Sequence, residues 1–485
     1  MSWRAARLGK PEAAIFGVLV FMAATMSVQS VTLGISNDRR HFTLNGVPTY
    51  LNGISYYAGT SVSDPKSLVR DLDDMRKDGF NWIRVWTHWS AEGMVTHADG
   101  KVREPYMTRL KTIIRECDRR GMVVDVTMHR GRSPNPGNQQ EHLACARTLA
   151  AELKPFRNVY IDVGNERDVG DARYVSLPEV GELIAAIKAI DPKRICGASG
   201  TPGSKEDVAE YLTTGRVDFV APHLCRDEGC SAKTVETVSS LIQWMKDLGR
   251  RVPIHLQEPF RRGYTDYQPT EEDYYRDNSG GKIAGAAGWC LHNGSNRNSP
   301  DHKPFRSFLM NSEQGRLYAQ LDEVELKVCD NISDQIGGTN LNVLRYQAEY
   351  PEQISHEVGQ RDGFALSVKV GRDDAGYLTR GPVLGTAPAG RHRATWRLAL
   401  DSDAPKGAEV VDVEVRSGDR SLARKVIRRS DFSRLNVWQS FSLSFDLTEA
   451  SRLEFVTRWP GRADVKLDHV TLNVNKGHTR ADAAD

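Results

Sequence analysis

The sequence predicts an α/β fold, a (β/α)8 TIM barrel followed by an antiparallel β-sandwich domain. Three observations predict it. Eight short apolar runs with little alternation, the pattern of strands buried on both faces, recur through the first ~300 residues. Helical patterns separate most of them, as a barrel of alternating units requires. From about Leu341 the texture changes to short alternating runs with turn residues at regular intervals, as in a sandwich. A doubly wound open sheet competes, but no Gly-rich phosphate loop follows the first strand.

Taken in order, Arg4, Arg7 and Lys10 precede an apolar run over 13–28, and Val28-Gln29-Ser30 puts short side chains where a signal peptidase would cut. This reads as a signal peptide over 1–30, with an uncleaved signal anchor as the alternative. The expected location is therefore secreted or periplasmic. The barrel strands are expected within 42–57, 81–86, 122–129, 158–165, 194–200, 217–224, 252–258 and 283–292. Helices are expected over 65–79, 107–121, 140–154, 177–191 and 232–249, the first two ending in Gly as helices often do. A final helix, roughly Glu313–Val328, closes a catalytic unit of 31–330. A polar, Gly-containing linker over 331–342 leads to the sandwich at 343–475, and a disordered tail occupies 476–485.

Composition narrows the function. Sixty-five Lys and Arg against 63 Asp and Glu give no electrostatic reason to expect nucleic acid or an anionic membrane as partner. No protein partner is implied either. The seven Cys cannot all pair within the chain; Cys225 and Cys230 flank a short loop and are candidates for a local disulfide. No CxxC or HExxH appears, so no catalytic metal is expected.

In such a barrel the chemistry sits at the C-terminal strand ends. Reading the ends of strands two, three, four, six, seven and eight gives Arg84, His129, Asn165 with Glu166, His223, Glu258 and Trp289. Glu166 and Glu258 end strands four and seven, which face one another across the mouth. Two facing carboxyl groups are what retaining hydrolysis of a glycosidic bond needs, one as acid/base and one as nucleophile. Arg84 beside Glu258 would keep it ionised. Asn165 can hydrogen-bond a sugar 2-hydroxyl, and Trp289 offers a flat face to a pyranose. Trp86, His88 and Trp89 either line the cleft or pack.

At these residues the chain resembles glycoside hydrolase clan A, and within it family 5. The opening "FTLNGVPTYLNGISYYAG", the Arg of "NWIRVW", the His of "TMH", the Asn-Glu of "VGNE", the His of "APH", the Glu of "LQEP" and the Trp of "GWCLH" carry the likeness over roughly 40–330. The resemblance implies Glu166 as acid/base, Glu258 as nucleophile, a poly- or oligosaccharide substrate and no cofactor for catalysis. Two departures stand out. Cys225 occupies a place usually held by an aromatic residue two positions after the sixth-strand His, and Arg167 follows Glu166 in place of Pro. Tyr264 or Tyr56 could stand in for the missing aromatic.

The C-terminal part resembles carbohydrate-binding modules of the family 6 and 35 type through "YQAEYPEQ", "AGYLTRGPVLGTAPAGRHRATWRLALD" and "VKLDHVTLNV". That likeness implies a possible structural Ca²⁺ at Glu349 and Asp468, whose oxygens suit a hard cation. Tyr377, Trp438 and Trp459 are either sugar-stacking or core residues. Two other function classes compete. One is a catalytically silent glycan-binding barrel. The other, a metal-dependent amidohydrolase, would want a His-x-His after strand one, which "LNGISYY" lacks.

Overall fold

The computed structural model describes residues 30–88, 92–128, 135–169, 173–294, 306–310, 315–382 and 387–474. The proposed leader, His129, Trp89 and the proposed tail lie outside them, Ser30 excepted. Among the described residues, no helix is long and apolar enough to cross a membrane.

The first predicted strand, 42–57, is three elements' worth of chain, and a further strand precedes it. An antiparallel meander of β1 (Leu33–Ile35), β2 (Phe42–Leu44) and β3 (Val47–Thr49) precedes the barrel strand β4 (Leu51–Ser55). Phe42 from the meander packs on Tyr160 and Phe219, and the surrounding cluster holds Leu51, Trp82, Val123 and Ile195. These are residues at the N-terminal ends of barrel strands, so the meander plugs the floor.

The barrel continues through α1 (Pro65–Lys77), β5 (Trp82–Trp86), α2 (Tyr106–Arg119), β6 (Val123–Thr127), α3 (Gln139–Leu153), β7 (Val159–Asp162), α4 (Leu177–Ile190), β8 (Ile195–Gly197), β9 (Ser199–Gly200), α5 (Lys205–Thr213), β10 (Ala221–Pro222), α6 (Cys230–Asp247), β11 (His255–Leu256), α7 (Glu271–Ala284) and β12 (Gly288–Leu291). The parallel order is β11-β12-β4-β5-β6-β7-β8. β9 carries on from β8 and pairs with β10, and the bridges Val220–Ile254 and His223–Glu258 close the ring. Local chemistry starts the helices where expected. Asp64 caps α1 through the Lys66 and Ser67 amides, and Ser176 with Glu179 forms a capping box on α4.

Two helices, α5 and α7, were not expected. α7 escapes a hydrophobic-period reading because its buried face is polar. Asp277 accepts from Thr234 and Trp289, and Asn278 is hydrogen-bonded to Tyr50 and Asn52. Gly280 and Gly281 let it lie close to its neighbours; a Cβ on Gly281 would come 2.8 Å from Leu256. The expected strand at 283 therefore begins only at Gly288. The final helix also differs: α8 is short (Leu317–Gln320), and α9 (Glu323–Gln335) is started by the Asp322–Glu325 capping box. α9 runs into the stretch expected as linker and stops before Gly337 and Gly338, both at positive φ.

The sandwich follows as β13 (Val343–Gln347), β14 (Gln360–Arg361), β15 (Leu366–Val368), β16 (Gly376–Pro382), β17 (Gly390–Leu400), β18 (Glu409–Ser417), β19 (Arg420–Arg428), β20 (Gln439–Leu447), β21 (Glu454–Trp459) and β22 (Val465–Val474). One sheet runs β14-β15-β22-β17-β20 with β13 also on β22, and the other runs β16-β21-β18-β19. Trp459 is wholly buried and donates to the Ala463 carbonyl, so it is core and does not stack on sugar. Tyr377 is half-buried and Trp438 is exposed, each under an arginine. Both Glu349 oxygens are buried without a hydrogen-bond partner, and burial holds the carboxyl up at about 8. That suits a hard-cation ligand. Asp468, however, pairs with Arg397 at 2.9 Å and faces His469 at 3.1 Å, so the two carboxylates do not form a ready pair of ligands.

The two units share packing. Val235 of α6 and Ile283 of α7 belong to the sandwich's apolar cluster. Lys282 Nζ donates to the Ile336, Gly338 and Val343 carbonyls at 2.9, 2.6 and 2.9 Å. Arg276 pairs twice with Glu352.

Candidate active site

Side chains alternate inward and outward along each barrel strand. On β5 the inward series is Trp82, Arg84 and Trp86. Trp82 joins the floor cluster, Arg84 meets the catalytic candidates, and Trp86 stacks on Tyr57 at 3.7 Å. The floor of the barrel is thus apolar and aromatic, and charge begins one layer higher.

In that layer Arg84 is wholly buried. It donates to Glu258 Oε1 at 2.6 Å, to Asp162 Oδ2 at 2.8 Å, to Asn165 Oδ1 at 2.8 Å and to Thr127 Oγ1 at 2.9 Å. It was expected to bind substrate. Its complete burial makes it a positioning residue for Glu258 and Asn165.

Asp162, the acid inside the β7 run, shapes the turn that follows. Its Oδ1 accepts from the Gly164 and Ser199 amides at 3.0 and 3.3 Å. Glu166 sits on that turn at φ +45°, a left-handed conformation uncommon for a residue with a Cβ and typical of functional sites. Its amide donates to Ser199 Oγ at 3.2 Å. Arg167 turns away, donating to the Tyr211 hydroxyl at 2.8 Å and to the Val175 carbonyl. The residue in place of Pro therefore ties this loop to α5.

Glu166, His223 and Glu258 converge, with one donor atom of each lying within 4.8 Å of the others. His223 Nδ1 is 3.2 Å from Glu166 Oε1 and 3.6 Å from Glu258 Oε2. The environments differ, since the Glu166 side chain is 27% exposed and that of Glu258 only 3%. Burial pushes both carboxyls up. For Glu166 the His223 hydrogen bond, with Arg226 and Arg261, outweighs it; for Glu258 His223 and Arg84 do so. Both are left at about 2. Asp125, by contrast, is held up at about 8 by burial and is protonated at neutral pH.

The trio Glu166, His223 and Glu258 has the spacing of a metal cluster. Its surroundings do not suit a cation. Arg84 and Arg226 each take one Glu258 oxygen, and a divalent ion would have to displace them.

Several residues in the mouth were not read from the sequence. Arg226 Nη2 donates to Glu258 Oε2 at 3.0 Å. It follows Cys225, which is joined to Cys230 by a disulfide. A guanidinium thus reaches the carboxylate where an aromatic residue was expected to help. Tyr264 lies under Arg226 and Arg261, 5.0 and 3.9 Å from its ring centroid. Tyr56 is buried elsewhere, against Asp71. His292 ends β12 with Nδ1 3.8 Å from Glu258, and its Nε2 meets Arg261 at 3.2 Å. Burial keeps that ring neutral, so Nε2 accepts from Arg261 and Nδ1–H faces Glu258.

Trp289 is corrected. It pairs with Leu256 and Asn52, is wholly buried, and donates to Asp277 of α7 at 2.6 Å. Strand parity is the reason. Gly288 and Cys290 face the barrel interior and Trp289 faces the helices, so the group that reaches the mouth is His292. His88 is also structural, held between Thr87 and Thr96 at 2.8 Å each.

Residues 42–258 match the family model Cellulase (glycosyl hydrolase family 5). Among solved structures the chain is similar to a glycoside hydrolase family 5 protein from Bacteroides vulgatus ATCC 8482, at 14% identity and TM-score 0.55, over 93% of this chain and 95% of that one. A second, described as a glycoside hydrolase, is 13% identical with TM-score 0.52, over 92% and 98%. At such identities these likenesses establish the fold. No curated protein matches the chain in sequence.

Proposed function

We propose that this glycoside hydrolase family 5-like barrel of clan A cleaves β-glycosidic bonds in a poly- or oligosaccharide with retention of configuration. A Glu258 oxygen attacks the anomeric carbon while Glu166 gives its proton to the departing oxygen. Glu166 then takes a proton from water, whose oxygen displaces Glu258 from the sugar. Arg84 and Arg226 keep Glu258 ionised for the first step. Asn165 is oriented by Arg84 through its Oδ1, which turns its donor end toward a sugar 2-hydroxyl. The chemistry calls for two carboxyl groups and water, with no cofactor, nucleic acid or obligate protein partner.

The observation that carries the reading is the approach of the Glu166 and Glu258 carboxyl oxygens to within 4.8 Å from facing strands, close to the roughly 5–5.5 Å of retaining pairs. The test is turnover of aryl β-glycosides and purified polysaccharides by the parent protein and by Glu258→Gln, with the first-formed anomer read by NMR. Loss of turnover in the variant and a β product from the parent support the reading; an α product overturns it.

A glycan-binding barrel without turnover is the second reading. It is favoured by the Glu166 carboxyl lying at about 2, the wrong protonation state for an acid in the empty site. It wins if parent and Glu258→Gln bind glycan alike and neither cleaves it. Export through residues 1–30 belongs to the proposal and is checked by the mass of the mature N-terminus.

A further inference from the structure

Among the described residues, Arg261 is a cation without a paired anion. It is 9% exposed, and among the described residues no carboxylate lies within 4.0 Å of it. Its guanidinium is flanked by the rings of Tyr264 at 3.9 Å and Phe308 at 5.0 Å, so its plane is fixed. Nη1 meets His292, and Nε is buried with no partner. A neutral donor would serve His292 equally well. Burying an unpaired charge is costly, and a site that carries one is completed by a ligand of opposite sign.

Arg226 lies against the same tyrosine ring. One of its nitrogens serves Glu258, and its Nε is likewise buried without a partner. The charges of the mouth point the same way. Three guanidiniums, of Arg84, Arg226 and Arg261, face the ionised Glu166 and Glu258, and Arg84 also pairs with Asp162 at 2.8 Å. Once Glu166 carries the proton it needs as an acid, the mouth loses one of the negative charges that offset these guanidiniums.

We infer that Arg226 and Arg261 form a subsite for an anionic substituent on the sugar bound beside the catalytic pair, a uronic acid carboxylate or a sulfate ester. The inference rests on the proposed function and names its substrate class. Both anions accept hydrogen bonds from guanidinium nitrogens, and a carboxylate can take two in parallel. The bound anion would also relieve the pull of the two arginines on Glu166, returning that carboxyl toward the protonated form that attack requires.

The test uses Glu166→Gln, in which turnover is silenced and the arginines are intact. Its affinity is measured by calorimetry for oligosaccharides of hyaluronan and alginate beside their carboxyl-reduced forms, and of carrageenan beside its desulfated form. At least one charged member binds tenfold or more tighter than its neutral partner, and which pair shows this separates uronate from sulfate. Adding Arg261→Gln collapses that ratio to near one, while Arg261→Lys retains part of it. Should Arg261→Gln not fold, binding of the charged probe weakens at least fivefold between 50 and 500 mM salt while its neutral partner is unaffected.

Neutral forms binding as well as charged ones, no charged probe binding, or a ratio indifferent to Arg261→Gln in a folded protein each overturn the inference. The parent protein run on the same probes separates the two claims. Cleavage of neutral glycans alone sinks the anion subsite and keeps the hydrolase. Arg261-dependent binding without cleavage of anything does the reverse.

Discussion

The Cys225–Cys230 disulfide closes the small loop that delivers Arg226 to Glu258. Replacing both cysteines, Cys225→Ala with Cys230→Ala, leaves no stray thiol and frees the loop. The cysteines are five positions apart, and closing so short a loop restricts the unfolded chain by about 2 kcal/mol in the chain-entropy account. The catalytic cost comes from Arg226. A hydrogen bond between charged partners is worth roughly 1.5–3 kcal/mol, or about 10- to 150-fold in rate if it is lost in the transition state. The cysteine-free protein is therefore expected to lose about tenfold in kcat/KM on the best glycan substrate, with Arg226→Gln losing at least as much. The deciding measurement is the double-mutant cycle. If the disulfide acts through Arg226, removing it from Arg226→Gln costs no further activity. Additive losses refute that route. Full activity in the cysteine-free protein beside a crippled Arg226→Gln shows that the loop holds its arginine without the bond.

Three further outcomes follow from the same geometry. If a bound anion offsets Arg226 and Arg261, the high-pH limb of kcat, where the acid loses its proton, lies at least one pH unit higher with a charged substrate than with its neutral counterpart; coincident limbs refute this. Trp289→Phe removes the donor to buried Asp277; it is expected to cost ~1–3 kcal/mol in denaturant unfolding with KM unchanged within twofold, and a large KM effect would return Trp289 to the substrate. Glu349 lies at about 8, above its unfolded value, so the folded state binds the extra proton and stability is lost as pH rises between those two values, by an amount on the order of a few kcal/mol. Glu349→Gln flattens that slope, and an unchanged profile would refute the raised Glu349 carboxyl.

The barrel was legible because its strands are buried on both faces and most of its helices have one apolar side. Leu68, Leu72 and Met75 on α1, or Met107, Leu110, Ile113 and Ile114 on α2, announce their period directly. α7 did not, because Asp277, Asn278, Ser279 and Lys282 spend their polarity inward, on partners that only the tertiary fold supplies. Glu166 and Glu258 were readable as acids at the ends of apolar strands. Arg226 and Arg261 were not, since an arginine in a loop looks the same whether it meets water or a carboxylate. His292 was within reach by parity: counting inward from Gly288 passes Cys290 and arrives at the histidine.

The three carbonyls gathered by Lys282 come from the end of α9, the joint after it and the first strand of the sandwich. One ammonium on a barrel helix thus staples the hinge at which a swinging appendage would need to pivot. Together with Val235 and Ile283 sunk into the sandwich's own interior, it makes the C-terminal unit a fixed wall of the molecule. A truncation at the joint would strip an oily surface bare and leave no tidy, independent barrel behind.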